Sequence, residues 1–212
     1  MVRKTKEEAE KTRADIIRAA REVFHEHGVV RCSLEKIAKA AGVTRGAIYW
    51  HFADKAELFF AMREDVFAPM IERTDALLYD PATVNPLDAI EASVTEFFRV
   101  LNECPVVRET FEIMISRCEY VDEFATIEEE VGRPAWEFLD KIERMYRLAA
   151  EKGLLRAGIA PEDAARDTWA FTSGLLHLTL GCRRGTGLEK DIPVMIRNHM
   201  ALRRAAAVNP KI

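Results

Sequence analysis

The chain has 212 residues, 49% of them apolar and 31% charged, with a formal net charge of −4 at pH 7. That length allows one large or two small domains around a real core, and the absence of any run of about 18 apolar residues argues against a membrane span. The charged N-terminus lacks a signal-peptide core, and four widely spaced cysteines without a CxxC argue against zinc and disulfides, so a reducing cytoplasm is expected. The charge is unevenly placed. Residues 1–52 hold eleven Lys/Arg against seven Asp/Glu, and the remainder holds twenty against twenty-eight. A basic end on an acidic body fits a DNA-contacting segment joined to a part with another task, although modest bias is also common on solvated helices.

In chain order, a first helix is expected over Lys6–His27, with Ile16, Ala20 and Phe24 on one ladder and Gly28 as its stop. Lys4, Lys6, Lys11 and Arg13 at its start suit phosphate contacts; Arg3 and Lys4 read equally well as a solvated tail. Ser33 is a good N-cap for a helix to Ala40 or Ala41, ended by Gly42. Thr44 caps a second short helix to about His51. Asp54 caps a third, and Asp54-Lys55-Ala56-Glu57 fits a capping box. Two short helices joined by a tight Gly-containing turn make a helix-turn-helix. Leu34, Ile37, Ala38 and Ala41 share one face, and Val43, Ile48 and Phe52 can join that core. Arg45, Gly46, Tyr49 and Trp50 then lie on the opposite arc, a face suited to a major groove.

Residues 54–80 read as a long connecting helix containing Pro69, which predicts a kink near Asp65–Phe67 or a plain break. A turn-rich stretch, 80–86, precedes a helix from Leu87 to Asn102 carrying Ile90, Val94, Phe97 and Leu101. Cys104-Pro105 breaks it, and the next helix, with Phe111, Met114 and Ile115, runs to about Arg117. Glu128-Glu129-Glu130 reads as a solvated face rather than a metal site. Gly132 and Pro134 are expected to interrupt or restart a helix that carries Trp136, Leu139, Ile142, Met145, Tyr146 and Ala149, with Gly153 as the stop. Pro161 opens a helix to about Gly181 that is apolar nearly all round and so expected to be buried on most sides. After a loop at 183–187, a last helix spans about Leu188 to Ala206. The surplus apolar surface of the last two helices points to self-association. The expected fold is all-α: a three-helix helix-turn-helix domain over 1–53 and a larger helical bundle over 54–212.

No GxSxG, P-loop, GxGxxG or HExxH is present, so no enzyme and no cofactor are expected. His25 and His27 do not share a helix face for a metal. Trp169, Thr172 and His177 fall on one side of a helix, as a core or interface histidine or as the wall of a ligand pocket.

The run Ala41-Gly42-Val43-Thr44-Arg45-Gly46-Ala47-Ile48-Tyr49-Trp50-His51-Phe52, followed by Asp54-Lys55, resembles the DNA-binding signature of TetR-family transcriptional repressors, in particular the AcrR-like subgroup that controls multidrug efflux pumps. The opening twenty residues are similar to that subgroup as well. The resemblance implies a homodimer, formed through the last two helices, on a palindromic double-stranded operator, and release by a small lipophilic effector. The DNA-contact set is then Ser33, Thr44, Arg45, Gly46, Tyr49, Trp50, His51 and Lys55. Arg45 would bridge O6 and N7 of guanine; Thr44 would cap and reach a phosphate; Gly46 would admit the backbone closely. Tyr49 and Lys55 would hold phosphates, and Trp50 would pack on sugar or a thymine methyl. For His51 the helical wheel points partly inward, whereas relatives use it at the DNA backbone. By position, anchored on Cys118-Glu119 and Gly174, the resemblance places Val94, Phe97, Phe111, Ile115, Ile142, Trp169, Thr172 and His177 around the effector. Phe111 and Ile115 stand where relatives often carry more polar residues. The rival readings are an all-helical ligand carrier or enzyme without DNA binding, an activator, and a regulator of a metabolic operon.

Overall fold

The structure is a computed structural model that describes residues 6–120, 124, 127–181 and 187–206. The expectations for Arg3, Lys4 and the loop at 183–186 fall outside these residues. Among the described residues the order is α1 (Lys6–His27), α2 (Leu34–Ala41), α3 (Arg45–His51), α4 (Lys55–Leu78), α5 (Pro86–Glu103), α6 (Pro105–Glu112) with a π-helical turn at Ile113–Arg117, α7 (Glu128–Glu151), α8 (Pro161–Gly181) and α9 (Leu188–Ala201). No strand occurs among them, only an isolated antiparallel bridge between Leu155 and Arg204. The all-α reading holds.

The chain divides into two compact units, one of Met1–Pro69 with Cys104–Glu129, the other of Met70–Glu103 with Glu130–Ile212. In the first, α1 packs on α2, α6 and the π turn, and α2 packs on α3. The ladder on α1 is the centre of its core: Ile16, Ala20 and Phe24 are fully buried, with Ile37, Ile48, Leu58 and Phe59. The Phe24 and Phe59 rings meet at 6.3 Å, and Phe59 meets Phe124 edge-on at 5.7 Å. Polar links surround this core. Arg21, buried on α1, donates to Asp65 on α4 at 3.0 Å. His25 and Glu112 lie 2.7 Å apart, and Arg108 donates to the same carboxylate at 2.9 Å. The Val29 N–H donates to the Arg117 carbonyl at 2.9 Å, just past Gly28, which adopts φ +80° and so suits a residue without Cβ.

In the second unit α5 packs on α9, and α8 on α9. Tyr146, fully buried on α7, shares a 2.7 Å hydrogen bond with Thr168, which lies 2.9 Å from His199 Nε2. Phe171 stacks on the His199 ring at 4.1 Å. Burial first, and the nearby Arg203 second, hold His199 down to about pKa 4.

α4 spans Lys55–Leu78, as expected, and runs through Pro69 without a plain break, forfeiting one backbone hydrogen bond. Other elements differ from expectation. α7 continues through Gly132 and Pro134. α9 stops at Ala201, not Ala206, because the following backbone turns extended: Arg156 N–H donates to Arg203 O and Ala205 N–H to Leu154 O. α8 is not buried on most sides in this chain. Ala170, Gly174, His177 and Leu178 are exposed, Leu178 to 54%.

Phe59→Ala should remove about 3–5 kcal/mol from the first unit, the usual cost of emptying a buried aromatic site; urea denaturation followed by circular dichroism checks this. His199 binds its proton less readily in the folded protein than at the unfolded value near 6.5. Between about pH 4 and 6.5 the unfolded chain therefore takes up more protons, and stability should fall as pH falls through that window. His199→Gln should flatten that part of the stability profile.

Candidate functional site

The short helix α3 is set by its two ends. Thr44 sits in extended backbone, and its hydroxyl accepts from the Ala47 N–H at 3.2 Å. Ser33 does the same for α2, accepting from Lys36 N–H at 3.3 Å, and Gly42 closes α2 at φ +66°. At the start of α4, Asp54 accepts from Glu57 N–H at 2.8 Å, while the Glu57 carboxylate takes the N–H of Ala53, one residue earlier than a standard capping box. Between these caps Ile48 is fully buried and Phe52 nearly so.

That inward pair turns the rest of α3 outward. Ser33, Thr44, Arg45 and Gly46 are exposed, Tyr49 to 47% and Trp50 to 72%. The Arg45 guanidinium donates to the Tyr49 hydroxyl at 3.1 Å and lies 5.4 Å from the centre of its ring. A Cβ built on Gly46 would meet only Thr44 Oγ1, at 3.9 Å. The chain's own packing therefore does not require glycine there. What glycine provides is bare, exposed backbone. His51 is half-buried, edge-on to Trp50 at 4.5 Å and beside Phe52. Arg13 on α1 lies over the Phe52 ring at 5.2 Å, so a cation from α1 borders the same helix.

Lys55 differs from the other seven DNA-contact candidates. It is buried, and its ammonium donates to the carbonyls of Val30 and Cys32 at 3.2 Å each and faces the Phe124 ring. It lines a surface concavity of about 290 Å³ together with Ser33, Arg45, Tyr49 and Asp54. The backbone of the α1–α2 connection is thus pinned to the first residue of α4. Sequence spacing gives no sign of this, because the two carbonyls lie 25 and 23 residues away. The neighbouring Cys32 thiol is pushed up by burial despite Lys36 and Lys55 nearby, and it donates to Val23 O at 3.4 Å.

The effector candidates fall in both units. Phe111 and Ile115 belong to the first, where Phe111 stacks on Phe67 at 4.8 Å. Val94, Phe97, Ile142, Trp169, Thr172 and His177 belong to the second. Val94 and Ile142 are buried, Phe97 packs edge-on against Phe98 at 5.1 Å, and Thr172 donates back to Thr168 O. His177 is exposed, its Nδ1 2.8 Å from the Ser173 carbonyl oxygen. Trp169 donates to Ala135 O at 3.1 Å and stacks on Trp136 at 5.1 Å. Trp136 is 57% exposed; the sequence offered it only as one of an apolar series. Among the described residues no three His, Cys, Asp or Glu gather as a metal site, and no helix is long and apolar enough to cross a membrane.

Residues 16–62, which include all eight DNA-contact candidates, match the family model described as bacterial regulatory proteins, tetR family. Across 198 residues the chain is 35% identical to the transcriptional regulator AcrR of Shigella flexneri, covering 90% of this chain and 88% of that one. The chain belongs to the TetR family. TtgR of Pseudomonas putida, another transcriptional regulator, is 35% identical over 84% of each chain. Among solved structures, this TetR-family chain superposes on NalD, the secondary repressor of the MexAB-OprM multidrug efflux pump in Pseudomonas aeruginosa. The TM-score is 0.82 and the identity 32%, over 94% of this chain and 98% of that one. SmeT, in a complex with triclosan, gives a TM-score of 0.79 at 34% identity, over 94% of each chain. SmeT is the repressor of the Stenotrophomonas maltophilia multidrug efflux pump SmeDEF.

In this TetR-family chain Lys55→Met should cost about 1.5–3 kcal/mol of stability, the scale of buried hydrogen bonds made by a charged group. A urea midpoint close to wild type would contradict the inward role of that ammonium.

Proposed function

We propose that this protein is a ligand-responsive transcriptional repressor. As a homodimer it binds a palindromic operator, and a small lipophilic molecule releases it. The operon it controls encodes an RND-type multidrug efflux pump. The observation that carries this reading is the outward face of α3: an arginine, a bare glycine backbone and two large aromatics held out by the burial of Ile48 and Phe52. The similarity to NalD and SmeT supports the pump assignment.

In this reading residues 1–53 read DNA, and residues 54–212 bind effector and dimerise, with 54–80 as the connection. Ser33, Thr44, Tyr49 and His51 meet the DNA backbone. Arg45 reads guanine, Gly46 admits close approach, and Trp50 packs on sugar or a thymine methyl. Lys55 acts through the backbone it pins at Val30 and Cys32 rather than by reaching a phosphate. Dimerisation uses α8 and α9, whose exposed Leu178 and Val194, with Leu202 just past the end of α9, are apolar surface that a partner copy would cover. The apolar effector candidates suit a lipophilic ligand with few fixed polar contacts. To empty an occupied operator, that ligand must favour the released shape by several kcal/mol. The protein works in the cytoplasm, where its DNA lies.

Arg45→Ala should weaken binding to the DNA upstream of the protein's own gene by about ten- to a hundredfold, the value of bidentate guanine contacts. It should still sediment as a dimer. Gel shifts with and without lipophilic antibiotics measure both halves of the reading. Wild-type protein that ignores this DNA, or holds it equally at saturating drug, contradicts it.

A further inference from the structure

We propose that Tyr49 is the positioning residue for Arg45, and that it sets how strongly the recognition helix prefers guanine. The inference rests on the DNA-reading function above. Beyond holding a phosphate, Tyr49 has a second task in this geometry. Arg45 and Tyr49 are one helical turn apart, so their side chains are neighbours on α3. The guanidinium is held twice, by a 3.1 Å hydrogen bond from its Nη2 to the Tyr49 hydroxyl and by the ring 5.4 Å from its centre. A solvated arginine otherwise samples many rotamers, and ordering them opposes binding. Here the hydrogen bond fixes the reach of the guanidinium, and the ring beside it limits where it can swing.

This arrangement leaves the reading chemistry intact. Guanidinium has five N–H donors, and Tyr49 takes one, so a pair remains for O6 and N7 of guanine. The tyrosine hydroxyl accepts from Arg45 and keeps its own proton to donate to a phosphate. One hydroxyl thus ties a contact that sets register on the duplex to the side chain that reads a base. The ring has firm footing, because α3 cannot roll while Ile48 is fully buried.

A double-mutant cycle separates positioning from simple phosphate binding. The probes are the duplex that wild-type protein selects from a random-sequence pool, and the same duplex with its contacted G·C pairs replaced by A·T. The readout is the ratio of the two Kd values by fluorescence anisotropy. Tyr49→Ala should lower that ratio about two- to fivefold, the scale of an exposed cation–π contact. Tyr49→Phe, which keeps the ring, should recover most of it. In an Arg45→Ala background Tyr49→Ala should change the ratio no further. A lost phosphate contact would instead weaken both duplexes alike and reduce the salt slope by about one. An unchanged ratio in Tyr49→Ala, or an equal drop without Arg45, overturns the proposal. The geometry has its own readout in the free protein. Nitrogen relaxation should find Arg45 Nε restrained in the wild type and as mobile as exposed Arg31 in Tyr49→Ala; equal mobility in both overturns the positioning claim. Wild-type protein that selects no duplex at all removes the DNA-reading function itself, and Nε relaxation then decides the Arg45–Tyr49 geometry alone.

Discussion

Burial of Ile48 and Phe52 is the constraint on which the outward face of α3 depends. A helix of seven residues has fewer than two turns, so one or two inward side chains fix its rotation. Burying each of these apolar groups contributes about 1.5–3 kcal/mol. Rolling α3 by one residue would expose both and drive a guanidinium or phenol into the core, a far costlier arrangement. The caps at Thr44 and Asp54 set where the helix begins and where the next one starts. Arg45, Gly46, Tyr49 and Trp50 lie outward because Ile48 and Phe52 take the inward positions.

Around that constraint the first unit is braced by polar contacts that each join distant parts of the chain. Arg21 reaches Asp65 from α1 to α4, and Lys55 reaches back to the carbonyls before α2. The His25–Glu112 pair and the Val29–Arg117 backbone bond join α1 and its exit to α6 and the π turn. A π turn widens the helix by one residue per turn and redirects its carbonyls. Here the carbonyl of its last residue, Arg117, is the one that accepts from Val29. The basic residues at the N-terminal end are thus carried by a scaffold whose apolar and ionic contacts interlock.

Much of this was legible in the sequence because it is local. α1 occupies the residues its apolar ladder and Gly28 marked, and Ser33, Gly42 and Thr44 cap where their chemistry said they would. What was not legible is long-range. Lys55 has the composition of a phosphate contact, and only the distant carbonyls of Val30 and Cys32 turn it inward. Pro134 carries the usual signal of a helix break, yet the surrounding helix tolerates one missing bond. The end of α9 depends on pairing with Leu154–Arg156, some fifty residues earlier. The stack of Trp136 on Trp169 joins two helices whose separate apolar patterns do not encode it. The exposure of α8 in the single chain is a related case: its pattern registered apolar surface but not what covers it.

The helix-turn-helix geometry and the relationship to TetR-family regulators bear on one another. The family relationship supports a DNA-contacting task for such a face, and the structure shows which side chains lie on it. Footprinting of the wild-type protein on the DNA upstream of its own gene tests that central claim most directly. Two inverted half-sites should be protected, their centres one helical turn or a multiple of about 34–36 Å apart, as two α3 helices in successive major grooves require. Absence of protection, or protection without paired half-sites, would contradict it.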